Sequence, residues 1–91
     1  MTILVDPAIW PWRGDRWAHL VSDVSYDELH DFAARLGIPR RAFQGDHYDV
    51  PAWLRLEAIE LGAVPVDSRV LVRRLRAAGL RRRSSGTSPE R

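Results

Sequence analysis

Between Phe43 and Val50 the chain concentrates polar side chains: Gln44, Asp46, His47, Tyr48 and Asp49 fall within six positions. His47 titrates near neutrality, and a carboxylate on either side, Asp46 or Asp49, can orient its ring and raise its pKa, which suits general acid–base work. A second histidine, His19, is followed closely by Asp23. If the segments bearing the two histidines share one sheet, His19 and His47 converge at a strand end, and His19, Asp46, His47 and Asp49 become the catalytic candidates. Two imidazoles with a carboxylate are also the ligand set of many metals bound through oxygen and nitrogen, so His19, Asp23 and His47 are candidate ligands for a divalent metal. None of the spacings is diagnostic, since there is neither an H-E-x-x-H motif nor a cysteine pair.

Each of these residues has a plainer reading as well. Asp46 follows Gly45, a pair that favours turns, and Asp49 before Val50-Pro51 can cap the next helix. His30 falls on the charged face of a helix and is expected to be solvated. Arg13, Arg40 and Arg41 can grip a phosphate through bidentate contacts, although arginines on loops are commonly solvated surface. With Asp6, Asp23 and Gln44 they make the ligand-binding set expected around one cleft. Trp10, Trp12, Trp17 and Trp53 could stack bases, but in so short a chain they are expected to fill core and lid, where each buries about 150–250 Å². No P-loop, dinucleotide fingerprint or serine elbow is present.

The elements that must position these groups follow from periodicity. Ile3-Leu4-Val5, ended by Asp6-Pro7, reads as a strand over Thr2 to Asp6. Ala8 to Arg16 contains Pro11 and Gly14 and reads as an irregular loop folded over the sheet. A second strand, Trp17 to Ser22, puts His19 on the face of Trp17 and Val21. Ser25-Tyr26-Asp27-Glu28 has the capping-box form, so a helix begins there, with Leu29, Phe32, Ala33 and Leu36 at helical spacing and Gly37 as a left-handed stop. Around Gly45-Asp46, a bulged strand and a turn between two extended pieces fit equally well. Pro51 opens a second helix with Leu54, Ala58 and Leu61 on one face, and Pro65 in the strand Ala63 to Val66 fits only a sheet edge or the first residues of the strand. Asp67 or Ser68 caps a third helix, with Val70, Leu71, Leu75 and Ala78 facing inward and Arg69, Arg73 and Arg76 outward. The order β-β-α-β-α-β-α describes an α+β, or small α/β, domain: one small sheet covered by helices. Residues 1–80 form it, and residues 81–91, which lack any apolar side chain, are expected to be a disordered basic tail.

The string Phe43-Gln44-Gly45-Asp46-His47-Tyr48-Asp49-Val50, with Trp17-Ala18-His19-Leu20-Val21-Ser22-Asp23 and Glu28-Leu29, resembles domain-of-unknown-function family 4031, small proteins of bacteria and phages. Val5-Asp6, Ala58 and Gly62-Ala63-Val64 extend the resemblance over most of Ile3 to Gly79. It implies one compact domain without the tail, and it brings no activity, cofactor or catalytic residue to carry over.

Composition narrows the classes further. The 91 residues include no cysteine, which removes disulfides, zinc–thiolate sites and thiol nucleophiles. A domain of this size buries only about 60–65% of the surface its unfolded chain exposes, so a homodimer partner or a ligand would add welcome stability. The start lacks a basic leader region and no apolar run approaches the roughly 18 residues that span a bilayer, so a cytoplasmic protein without a membrane partner is expected. Met1 to Asp67 carries six arginines against eleven acids, whereas Ser68 to Arg91 carries eight arginines against Glu90 alone. Two main expectations follow. The first is a ligand-binding or catalytic site for a phosphate-bearing, nucleotide-like small molecule, built on the His/Asp/Arg/Gln cluster. The second is a nucleic-acid module that contacts phosphates without reading sequence, through the third helix and Arg81 to Arg83. A protein-interaction role, such as a host-factor antagonist, is a third.

Overall fold

The computed structural model describes residues 2–82. In chain order it contains β1 (Ile3–Val5), β2 (Trp10–Trp12), β3 (Asp15–Ser22), α1 (Tyr26–Arg35), a 3₁₀ turn (Arg40–Ala42), β4 (Tyr48–Pro51), α2 (Ala52–Glu60), β5 (Val64–Pro65) and α3 (Ser68–Ala77). β3 is the spine of a single five-stranded sheet. On one of its edges it pairs antiparallel with β2 (Trp10 opposite Trp17) and then with β1 (Val5 opposite Leu20). On its other edge it pairs antiparallel with β4; β5 lies parallel to β1, on the outer side of β1. The chain is therefore a small α+β domain, with one strand more than the sequence suggests.

That extra strand is β2, in the stretch read as an irregular loop. Arg13 (φ 49°) and Gly14 (φ 80°) both take positive φ and form a two-residue hairpin turn whose twist matches the strands it joins. Pro11 is tolerated because β2 lies on the sheet edge, where a missing N–H leaves no ladder bond broken. Trp10, Trp12 and Trp17 pack edge to face on this hairpin, with ring centroids 5.3–6.4 Å apart. Trp10, Trp12 and Trp53 are exposed, so the expectation of aromatic core packing fails for these three: Trp10 and Trp12 lie on the edge hairpin, and Trp53 on the outer side of α2.

Strand alternation divides the sheet into two faces. Ile3, Val5, Ala18, Leu20, Tyr48 and Val50 point one way, into a core closed by Leu29, Phe32 and Ala33 of α1 and Leu54 and Ala58 of α2. Leu4 and Val21 point the other way, against Leu71 and Leu75 of α3, with Leu80 packed beside them. The odd positions of β3 and β4, including His19 and Asp49, share this second face. α3 covers only part of it, and the uncovered part is where the polar residues gather. Leu61, expected on the inner face of α2, is exposed at its C-terminal end, with Ala63 taking the buried place.

Local caps fix the helices. Ser25 caps α1, its Oγ accepting from the Glu28 N–H at 3.1 Å. The reciprocal half of the capping box is not made: Glu28 accepts instead from the buried Ser22 Oγ at 2.5 Å, and that oxygen accepts from the N–H groups of Val24 and Ser25. Gly37, at φ 81°, ends the helix as the sequence suggests. Gly45 (φ 88°) and the 2.8 Å bond from the Gln44 N–H to the His47 carbonyl show that a turn, not a bulge, precedes β4. Asp49 does not cap α2, whose first turn has no side-chain cap. Asp67 caps α3, which frees Ser68 for another contact. Among the described residues no helix is long and apolar enough to cross a membrane.

Candidate functional site

The hydrogen bonds that order the exposed part of the second face begin at Asp6, the residue after β1, which is 2% exposed. Its Oδ1 accepts from the His19 backbone N–H at 2.6 Å, and its Oδ2 accepts from His19 Nδ1 at 2.9 Å and from Ser68 Oγ at 2.8 Å. Burial pushes the Asp6 carboxyl up, but the hydrogen bonds from the His19 side chain, the His19 backbone and Ser68 outweigh it and hold the group below its ordinary value. An ionised Asp6 only accepts, so His19 Nδ1 carries the proton and Nε2 is the nitrogen left for the cleft.

A second carboxylate–imidazole pair faces the first. Asp46, 3% exposed, accepts from His47 Nδ1 at 2.7 Å through Oδ1 and from the Arg82 backbone N–H at 2.9 Å through Oδ2. The Arg81 guanidinium approaches the same Oδ2 at 3.5 Å. Register sets His19 directly across from Asp49 on β4, and the turn before β4 brings His47 alongside. The His19 and His47 ring centroids are 5.1 Å apart in a T-shaped contact, and Trp10 stacks on His19 with centroids 5.7 Å apart. Asp49 Oδ1 lies 3.2 Å from His47 Nε2, an ion-pair contact, and this oxygen is buried with no other protein partner. Burial alone would push the His47 imidazole down; Asp49 and Asp46 outweigh it and raise it above its ordinary value.

Both histidines and their carboxylates, Asp6 and Asp46, line a cavity of about 470 Å³ between α3 and the sheet. Asp6, His19, Gln44, Asp46, His47 and Ser68 form its polar side, and Val21, Leu71, Val72 and Leu75 its apolar side. Arg81 and Arg82 stand at its rim. A second hollow of about 430 Å³ shares Asp6, His19 and Ser68 and opens toward Ile9, Trp10 and Trp17.

The structure thus brings together Asp6, His19, Gln44, Asp46, His47 and Asp49 of the residues singled out from sequence. It does not bring in the others. Asp23 sits beyond the far end of β3, where it accepts from the Thr2 N–H and pairs with Arg74, so it is not a partner of the two histidines. Four residues along a strand span about 13 Å, so closeness in sequence to His19 placed it at the wrong end. Arg13 sits at the hairpin tip over the Trp12 ring, and Arg40 and Arg41 are exposed on the 3₁₀ turn; none lines the cleft. His30 is only partly solvated: its Nδ1 meets the Tyr48 hydroxyl at 2.8 Å and its ring packs on Phe43. Arg81 and Arg82, expected in the tail, are held at the cleft instead. The Tyr26 hydroxyl donates to the Leu80 carbonyl, and the Arg82 guanidinium lies over the Tyr26 ring. The remainder of the expected tail, 83–91, lies outside the described residues. Ser68 was legible only as a helix cap, and nothing in its sequence context shows that its hydroxyl turns to Asp6.

Compared with known proteins, residues 3–78 match one family, described as a protein of unknown function (DUF4031). No curated protein and no solved structure matches.

Proposed function

Because the chain belongs to the DUF4031 family, whose description assigns no activity, its function must be read from the cleft, and we propose that the cleft binds a phosphate-bearing small molecule of the nucleotide class and acts on it at the His19–His47 centre. One observation carries the reading: two histidines, each held by a buried carboxylate, and two arginines line a single cavity of about 470 Å³. That volume is typical of a small-molecule pocket, and its mix of one apolar wall with a few convergent polar groups is what such pockets use to bind and orient. Arg81 and Arg82 supply the positive charge at the mouth, in place of Arg13, Arg40 and Arg41. Arginine's planar fork suits phosphate oxygens. The hollow beside Trp10 offers a flat aromatic edge where a base can lie. A cytoplasmic setting, where such ligands are met, belongs to the same proposal.

Titration with inorganic phosphate and with AMP, followed by tryptophan fluorescence and by amide NMR shifts, tests the reading. Saturable shifts at Gln44, His47 and Ser68 are expected, with Arg81→Ala and Arg82→Ala together weakening binding by about tenfold or more, the worth of one charge-assisted hydrogen bond. Binding that is unchanged by that double substitution, or shifts confined to other parts of the domain, would remove the cleft from consideration.

The nucleic-acid reading retains one specific support. Arg69, Arg73 and Arg76 line a shallow surface on the outer side of α3 that meets the acidic cleft only at Ser68 and Val72. Loss of duplex DNA affinity on replacing these three arginines, with phosphate binding in the cleft intact, would favour that role over the first.

A further inference from the structure

We propose that His19, His47 and Asp49 form a binding site for one divalent transition-metal ion, with Asp6 and Asp46 holding the two imidazoles in the ligating orientation. The proposal goes beyond the phosphate-ligand reading and stands without it.

The tautomers come first. Asp6 takes the proton side of His19 at Nδ1, and Asp46 takes the proton side of His47 at Nδ1. Each neutral ring therefore presents a bare Nε2 lone pair. A carboxylate hydrogen-bonded to the remote nitrogen of a ligating histidine is the usual outer partner of such sites, because it fixes the tautomer and raises the basicity of the other nitrogen. Here it occurs twice, from two different elements, toward the same point.

The second argument is the orphan oxygen. Asp49 Oδ1 is buried, lies 3.2 Å from His47 Nε2, and makes no hydrogen bond. With His47 protonated at Nδ1, the two atoms are both acceptors. Placing two acceptors side by side without a protein donor costs free energy, on the order of 1–3 kcal/mol for the unsatisfied oxygen alone. A cation between them removes that cost; a proton on Nε2, which Asp49 and Asp46 favour, is the competing occupant that a metal ion displaces.

The third argument is distance. One ligating atom from each of His19, His47 and Asp49 lies within 4.8 Å of the others. An ion with bonds of roughly 2.0–2.1 Å in tetrahedral geometry sets its ligands roughly 3.3 Å apart. The His47–Asp49 pair already meets that separation, and His19, with its side chain 42% exposed, has room to close the remainder. Two imidazole nitrogens and one carboxylate oxygen suit zinc, cobalt or a similar ion; magnesium and calcium prefer oxygen alone. Three protein ligands leave at least one position open toward the cavity, the arrangement of catalytic rather than closed structural sites. If the phosphate reading also holds, that open position faces the bound phosphate and the histidines serve as ligands.

Untagged full-length chain, dialysed against a chelator and then freed of it, is titrated with Co(II) in the absence of phosphate, and bound cobalt is displaced with Zn(II). Expected are visible d–d bands that saturate at one equivalent, displacement by zinc, and no competition from excess magnesium. Asp49→Asn, close in shape to the native residue, and His19→Ala should each weaken binding by at least about 100-fold, and Asp46→Asn by about 10- to 100-fold as a positioning residue. Asp23→Asn should change nothing. Circular dichroism in chelator shows that each variant is folded. Absence of saturable cobalt binding by the folded native chain, or binding that survives Asp49→Asn, overturns the proposal. Repeating the AMP titration in chelator keeps the two readings apart, since phosphate binding without metal and metal binding without phosphate are separate outcomes.

Discussion

Replacing Asp6 with asparagine should do two things at once, and their coincidence is the test of how the site is ordered. The carboxylate accepts three hydrogen bonds, from the His19 backbone N–H (2.6 Å), His19 Nδ1 (2.9 Å) and Ser68 Oγ (2.8 Å). Asparagine keeps one oxygen, which suits the backbone N–H. Its amide nitrogen then faces His19 Nδ1, where two donors cannot meet, so the imidazole must move its proton to Nε2 and accept at Nδ1. Hydrogen bonds to a charged acceptor contribute about 1.5–3 kcal/mol each and neutral ones about 0.5–1.5, so the exchange costs about 1 kcal/mol per bond. Relief from burying a charge offsets part of this, leaving a net loss of about 2 kcal/mol. A domain with about 5–15 kcal/mol of stability remains folded after such a loss. Urea denaturation measures the stability, and ¹⁵N shifts of the histidine ring measure the tautomer. A variant in which His19 keeps its proton on Nδ1, with a stability loss under about 0.5 kcal/mol, would refute the idea that Asp6 orients the ring.

Three further expectations concern the scaffold. Leu29→Ala or Phe32→Ala, each removing buried surface from α1, should cost about 2–5 kcal/mol in denaturant melts; a loss under about 1 kcal/mol would contradict the burial. His30 is held below its ordinary pKa of 6.5, first by burial and then by Arg40, so the unfolded chain takes up this proton before the folded one does. Its contribution is intact above pH 6.5 and is lost as the pH falls toward the lower folded value; His30→Gln should flatten that part of the stability-versus-pH curve relative to the native chain. Removal of residues 83–91 should leave the melting curve unchanged. If the arginines removed with them contact duplex DNA, the salt slope of binding should flatten by about 0.9 per lost contact, whereas equal slopes and affinities would exclude that contact. The cut must spare Leu80, which packs against the α3 core cluster and donates its N–H to the Leu75 carbonyl.

Much of this arrangement is legible in the residues. Ser25 and the apolar spacing after it fix α1, and period-two alternation puts Asp6 with Leu4, His19 with Val21 and Asp49 opposite Tyr48 and Val50 on their strands. The pairing of the histidines therefore needs only the knowledge that β3 and β4 are neighbours. What alternation cannot supply is which residue of β4 stands across from His19, because that register is set by the length and conformation of the turn at Gly45. Asp49 consequently reads as a cap from sequence and as a cross-strand partner in the fold. Glu28 shows the same limit: Ser25 and Glu28 have capping-box spacing, but Ser22 lies close enough in space to take the carboxylate. The hairpin was hidden because Pro11 and Gly14 signal a break, and only an edge position makes them compatible with a strand. Arg81 and Arg82 look like tail by composition, and the anchors that hold them are distant in sequence: Asp46, which takes the Arg81 guanidinium and the Arg82 N–H, and Tyr26, which takes the Arg82 guanidinium.

The bond from Ser68 to Asp6 joins residues 62 apart, and the pairing of β5 with β1 closes a loop of similar length. On a ribosome, β1, the hairpin and α1 emerge long before the segment that completes their sheet, and chain-closure entropy of this kind slows folding. Until α3 docks, Leu4 and Val21 stand bare on one face and the carboxylate of Asp6 lacks its third donor. The cleft is thus complete only once α3 has docked, since its lining comes from the start, the middle and the last helix of the domain. A nascent or truncated chain ending before Ser68 can own both histidines and still have no cavity for them to line.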